Sequence, residues 1–166
     1  MERLRALAVL IRKKRRDILL IALWAIAIAA VIIRSHQQFY ADHPMLSYYQ
    51  IGFSDYYSPT PSELDLLLVL LIGLAVTVFL VSTKDVVFGY FASLLLSCSI
   101  SVIYMFTFNW YVLGLAGTFS ELSFGWEWVA FQAIINTFRY IFPLGVTFSL
   151  MGVCVGSVVR MLTNRG

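Results

Sequence analysis

Few side chains in this chain could do chemistry, and the most conspicuous is Arg139. Gln132, Asn136 and Arg139 recur at i, i+4 and i+7, so on a helix they share one face. Two amides beside a guanidinium can hold a carboxylate or a phosphate, because the guanidinium grips such anions with two parallel hydrogen bonds. The three lie within a long apolar run. A charge at membrane depth usually faces a bundle interior or a wet cavity and defaults to a functional reading. The plainer reading is an arginine that snorkels to the interface. Glu121 and Glu127 are the acidic groups nearest to it in the chain.

Other candidates are weaker. His36, Asp42 and His43 could ligate a metal, but zinc sites use tighter, paired spacings, so no metal site and no cofactor are expected. Cys98 and Cys154 fall in apolar runs and read as small buried side chains. Asp17, Asp65 and Asp85 all stand at expected helix ends, where negative charge near an N-terminus is favourable. No Ser/His/Asp set and no pair of acids occurs within an apolar run. No catalytic residues are therefore assigned, and the chain leans away from an enzyme.

The elements that would carry these residues are membrane spans. Sixty per cent of the 166 residues are hydrophobic and 13% charged, more apolar surface than a chain this small could bury. In hydrocarbon every backbone N–H and C=O must be satisfied internally, so a span is a helix or a closed barrel strand. The apolar runs are continuous and far longer than the roughly ten residues of a barrel strand. The expected fold class is therefore all-α and integral to the membrane, a four-transmembrane-helix bundle. Its segments read as a basic amphipathic stretch 1–16, TM1 17–34, an outer aromatic loop 35–63, TM2 64–82, TM3 83–114, an outer loop 115–128, TM4 129–162 and a tail 163–166. Small residues near Ala27–Ala30 suit a signal peptide, but Val31–Ile33 prolong the apolar run past the usual length. Trp126, Trp128 and Pro143 make TM4 either one long kinked helix, the favoured reading, or a surface helix leading into a span.

Charge sets orientation. Arg3, Arg5, Arg12, Lys13, Lys14, Arg15 and Arg16 precede TM1, Lys84 lies between TM2 and TM3, and Arg160 and Arg165 end the chain. The other side carries Asp42, Asp55, Glu63, Asp65, Glu121 and Glu127. The positive-inside rule puts both termini in the cytoplasm. The start of the chain reads as an amphipathic interfacial helix, with Leu4, Leu7 and Ile11 on one face. Arg12, Lys13, Lys14, Arg15 and Arg16 would contact anionic lipid on the cytoplasmic face, at about 1 kcal/mol per charge. Nothing in the segment would read bases, so nucleic acid is not an expected partner.

Packing signals are clearer than catalytic ones. TM3 carries Gly89, Ser93, Ser97 and Ser101, and TM4 carries Gly145, Ser149, Gly152 and Gly156. In lipid, small residues drive association by letting backbones approach. Each stripe is expected at a helix contact, against the other stripe or against another chain. The four-residue connection Ser82–Asp85 makes TM2 and TM3 an antiparallel pair. Thr60-Pro61-Ser62-Glu63 has the form of a capping box that starts TM2. The outer loop is rich in aromatics, among them Tyr48, Tyr49, Tyr56 and Tyr57, which suit an ordered cap or an interaction surface.

These features favour a non-catalytic accessory, assembly or scaffolding subunit. It would meet other membrane-protein subunits, or copies of itself, in the cell membrane or an organelle membrane. The alternative is a small transporter or channel with a polar path near Arg139. An intramembrane enzyme on a lipid-linked substrate comes third.

Overall fold

A computed structural model describes residues 2–42, 61–80, 82–112 and 125–163. Those residues are helical almost throughout and include no strand. Three helices among them are long and apolar enough to cross a membrane: Lys14–Asp42, Thr83–Val112 and Gly125–Thr163.

Helix α1 spans Glu2–Asp42 without a break. The sequence reading divided this stretch into an interfacial helix, a span and the start of a loop. No Gly or Pro interrupts residues 2–42, and the first proline is Pro44, so nothing halts the helix at either expected boundary. Helix α2 is Glu63–Phe79, 17 residues. Its cap lies two residues beyond the expected Thr60. Asp65 N–H donates to Ser62 Oγ at 3.2 Å, and Asp65 Oδ2 accepts from Ser62 N–H at 3.2 Å and from Ser62 Oγ at 2.6 Å. Ser-Glu-Leu-Asp thus closes the box in place of Thr-Pro-Ser-Glu.

Helix α3 is Thr83–Thr107, capped by Ser82 and prolonged by a π-helical turn, Phe108–Val112. Helix α4 is Gly125–Tyr140, and after the π-helical turn Ile141–Gly145 the chain continues as α5, Val146–Thr163. The run is one path bent at Phe142, whose φ of −107° and ψ of 138° leave the helical region. Pro143 explains the bend, because a residue before proline is pushed out of the α region.

The helices do not pair as their connections suggest. α2 packs chiefly on α5, and α3 on α1 and then α4, so the short α2–α3 connection does not make those two helices main neighbours. A tight connection fixes only where two ends meet; the faces that mate are chosen by side-chain size. Both main pairs are parallel. Leu70 lies at Gly152, and Leu74 and Thr77 lie at Gly156. Ile21 lies at Gly89, Trp24 beside Tyr90 and His36 beside Tyr104. The stripe on α3 and the stripe on α5 therefore face different helices and not each other.

The bundle is lined by small and polar residues and faced with large apolar ones. Thr77, Ser93, Ser97, Ser101, Thr137 and Ser149 are fully buried, while Phe88, Phe91, Leu95 and Ile103 stand outward. Most of these hydroxyls bond their own helix: Ser93 Oγ to Tyr90 O at 2.9 Å, Ser97 Oγ to Leu94 O at 2.9 Å and Thr77 Oγ1 to Gly73 O at 2.7 Å. Donors satisfied in this way can sit in an apolar interior without a penalty. A core of Trp24, Ile28, Leu80, Tyr90, Met105 and Ile141 fills the centre.

Candidate functional site

The polar residues converge at the end of the bundle where α1 finishes and α2 and α4 begin. On α4, Gln132 and Asn136 are buried and Arg139 is partly buried. Thr137 Oγ1 donates to its own Ala133 O at 2.8 Å and lies 3.4 Å from Met105 Sδ, which joins α4 to α3. The π-helical turn that carries Asn109 also packs against α4. Gln132 Oε1, Asn136 Oδ1 and both amide atoms of Asn109 are buried without a hydrogen bond. Sequence reading found the first two and missed Asn109, although an asparagine inside Thr107–Val112 is a break in an apolar run.

From the sequence His36 reads as a weak metal ligand or, with Arg139, as a group around a phosphate in the enzyme alternative. The structure gives it a different setting: it is 1% exposed, with neither ring nitrogen hydrogen-bonded. Tyr40, Phe108, Tyr104 and Tyr140 surround it at ring-centroid distances of 4.8, 5.2, 5.7 and 6.1 Å. Its expected companion His43 lies outside the described residues. Among the described residues no three of His, Cys, Asp and Glu come together as a metal-holding group.

Asp65 departs most from its sequence reading. It stands in the first turn of α2, as expected, yet it is 1% exposed. While Oδ2 serves the cap, Oδ1 lies 3.6 Å from Arg34 Nη1, beyond hydrogen-bond reach, and makes no hydrogen bond. Two neighbours of Asp65 come from α1: Arg34 pairs with it and Ser35 lines the same cavity. Beside Asp65 is a cavity of about 20 Å³ to which all four apolar segments contribute, through Ile32 and Ser35, Val69, Leu94, and Tyr140 and Ser149. That is room for about one water.

The remaining site residues have structural surroundings. A Cβ on Gly152 would run into Leu70 O; on Gly73 it would stand 2.9 Å from Ser149 O, and on Gly156 2.7 Å from Leu74 O. Gly145 meets its own chain at Tyr140 O, and Gly89 meets the Ile21 side chain. Cys98 is partly buried and Cys154 is exposed, so the expectation of two buried thiols fails for Cys154. It projects away from the α2 contact made by Gly152 and Gly156. At the opposite end, Arg160 Nη1 donates to Leu80 O at 2.8 Å and Nη2 to Thr83 Oγ1 at 2.9 Å. Lys14, Arg15 and Arg16 are exposed on α1, and Arg16 lies 3.4 Å from Asp17. The side chains of Arg12 and Lys13, and Tyr48, Tyr49, Tyr56 and Tyr57, lie outside what the structure describes.

No family model, characterised protein or solved structure matches the chain.

Proposed function

We propose that this is a four-span membrane protein with both ends cytoplasmic, acting as a non-catalytic accessory or assembly subunit of a larger membrane complex. Its 17-residue α2 is about 26 Å long and reaches the lower limit for a span. Lys14–Arg16, Lys84 and Arg160 gather at one end of the bundle, which suits a cytoplasmic face, and the bases there would touch anionic lipid.

The observation that carries the subunit reading is the build of the α2/α5 seam. Backbones meet at Gly73, Gly152 and Gly156, and the Arg160 fork pins the inner end. Such a seam makes a rigid frame, and the large side chains on its outside are free to meet lipid or neighbouring chains. Native mass spectrometry of protein extracted gently from its own membrane tests this. Heterologous chains at fixed stoichiometry are expected; a lone monomer or a homo-oligomer would overturn the reading.

A transporter or channel is the second reading. It is favoured by buried amide atoms without a hydrogen bond: Gln132 Oε1, Asn136 Oδ1 and both amide atoms of Asn109. Flux through reconstituted vesicles that falls on Arg139→Ala would support it.

A further inference from the structure

We propose that the first part of α1 is a docking helix for a cytoplasmic protein that offers an apolar groove rimmed with carboxylates. Helices α1 and α3 run in step: Ile21 meets Gly89, and His36 meets Tyr104 fifteen residues further on along both. Carried back, that register sets Arg15 level with Thr83, where α3 begins. The Arg160 fork puts Leu80, at the end of α2, near the same level, and α5 stops at Thr163, three residues past that fork. Among the described residues, the stretch 2–14 therefore has no helix running beside it. Yet α1 is continuous from Glu2 to Asp42, about 61 Å, or roughly twice the hydrocarbon thickness.

The bases decide how far that stretch stands out. Charges at 12–16 keep out of hydrocarbon, so the membrane edge lies at or above Arg16. On the unbroken helix Leu7 is then about 14 Å and Leu4 about 18 Å below that edge. The headgroup layer is only about 5–8 Å thick, so both lie beyond it. Lying along the surface would need a sharp turn at the bases, and no Gly or Pro within 2–42 supplies one. Lys14, Arg15 and Arg16 thus meet lipid while Leu4, Leu7 and Ile11, which share one helix face, run on into the cytoplasm. Residues 6–11 include no polar side chain, and an apolar stretch in water marks an interaction site. Charge selects the occupant. Residues 2–17 hold seven bases against Glu2 and Asp17. A second copy alongside would set like charges together, which disfavours that pairing. An apolar groove with an acidic rim matches both the apolar face and the bases, as when an amphipathic helix lies in a partner's groove.

Full-length protein in nanodiscs of phosphatidylcholine and phosphatidylglycerol tests the proposal. With Cys98→Ala and Cys154→Ala in place, a spin label on Leu7→Cys should collide with a water-soluble nickel complex and not with oxygen dissolved in the lipid. Calcium-loaded calmodulin, an acidic protein with an apolar groove, serves as the probe partner. Dansyl-labelled calmodulin should bind the unlabelled protein saturably. Leu4→Asp together with Ile11→Asp should weaken that binding about tenfold or more, and raised salt should weaken it as well. Both substitutions lie outside the bundle, so they leave its unfolding midpoint unchanged. A label sunk in lipid would overturn the proposal and return the segment to the membrane surface. Spin–spin broadening between two copies in one disc would overturn it in favour of self-association. Binding that is absent, or indifferent to the paired aspartates, would overturn it too. The proposal names a partner class for the subunit reading and takes only the cytoplasmic side from it. Its failure leaves that reading untouched, since the subunit reading rests on the α2/α5 seam and on chains that co-purify.

Discussion

Gly152 has no room for a side chain, because the atom that a Cβ would strike is the Leu70 carbonyl oxygen, part of a helix backbone that cannot turn aside. Gly152→Val should therefore cost at least the roughly 1–3 kcal/mol typical of overpacking, read as a lowered unfolding midpoint in detergent. Val155→Leu, on the exposed side of the same helix, should leave the midpoint within error. The serines of α3 allow a sharper choice between packing and conduction. Ser97 is fully buried and bonds its own helix, so Ser97→Ala should cost less than about 1 kcal/mol while Ser97→Leu should be disruptive. A serine lining a polar path would behave differently, with Ser97→Ala impairing flux in an intact fold. The small-residue positions were legible in the sequence because size and spacing alone mark them. Asp65 was legible as a helix-start acid but not as a buried one. Its burial comes from neighbours on other helices, Arg34 of α1 among them, which no property of Asp65 announces.

At the scale of elements, helix type and rough extent follow from continuous apolar runs, and partner choice does not. The Ser82–Asp85 connection was read as pairing TM2 with TM3, yet glycine contacts draw α2 to α5 and leave α3 to α1. The bend between α4 and α5 is part of that arrangement, since α4 packs on α3 while α5 packs on α2. Pro143→Ala should thus lower the unfolding midpoint, although alanine is intrinsically better than proline in a helix by about 3 kcal/mol. A raised midpoint would show that the bend is incidental to the packing. Arg160 gives a second test at this scale, because it ties α5 to Leu80 and Thr83 through two nitrogens of one planar group. Arg160→Ala should cost about 1 kcal/mol, and Arg160→Lys should recover little of it, since an ammonium has no such fork. Circular dichroism melts of the two variants side by side would decide.

For the whole molecule, the end of α1 meets the start of α2 at Arg34 and Asp65, and the end of α2 and the start of α3 meet at Arg160, so these consecutive segments run in alternate directions. The end of α1, the cap of α2 and the start of α4 then share one face, and the α2–α3 connection and Arg160 share the other. The bases of the sequence lead to the expectation of a cytoplasmic second face, and the 17-residue α2 is the segment whose crossing most needs a test. The direct measurement is labelling of single cysteines on intact cells with a membrane-impermeant maleimide, after Cys98→Ala and Cys154→Ala. Glu63→Cys and Glu127→Cys should be labelled from outside, and Lys14→Cys and Lys84→Cys only after permeabilisation. Glu63→Cys and Lys84→Cys labelled from the same side would mean that α2 does not cross, and would contradict the four-span frame.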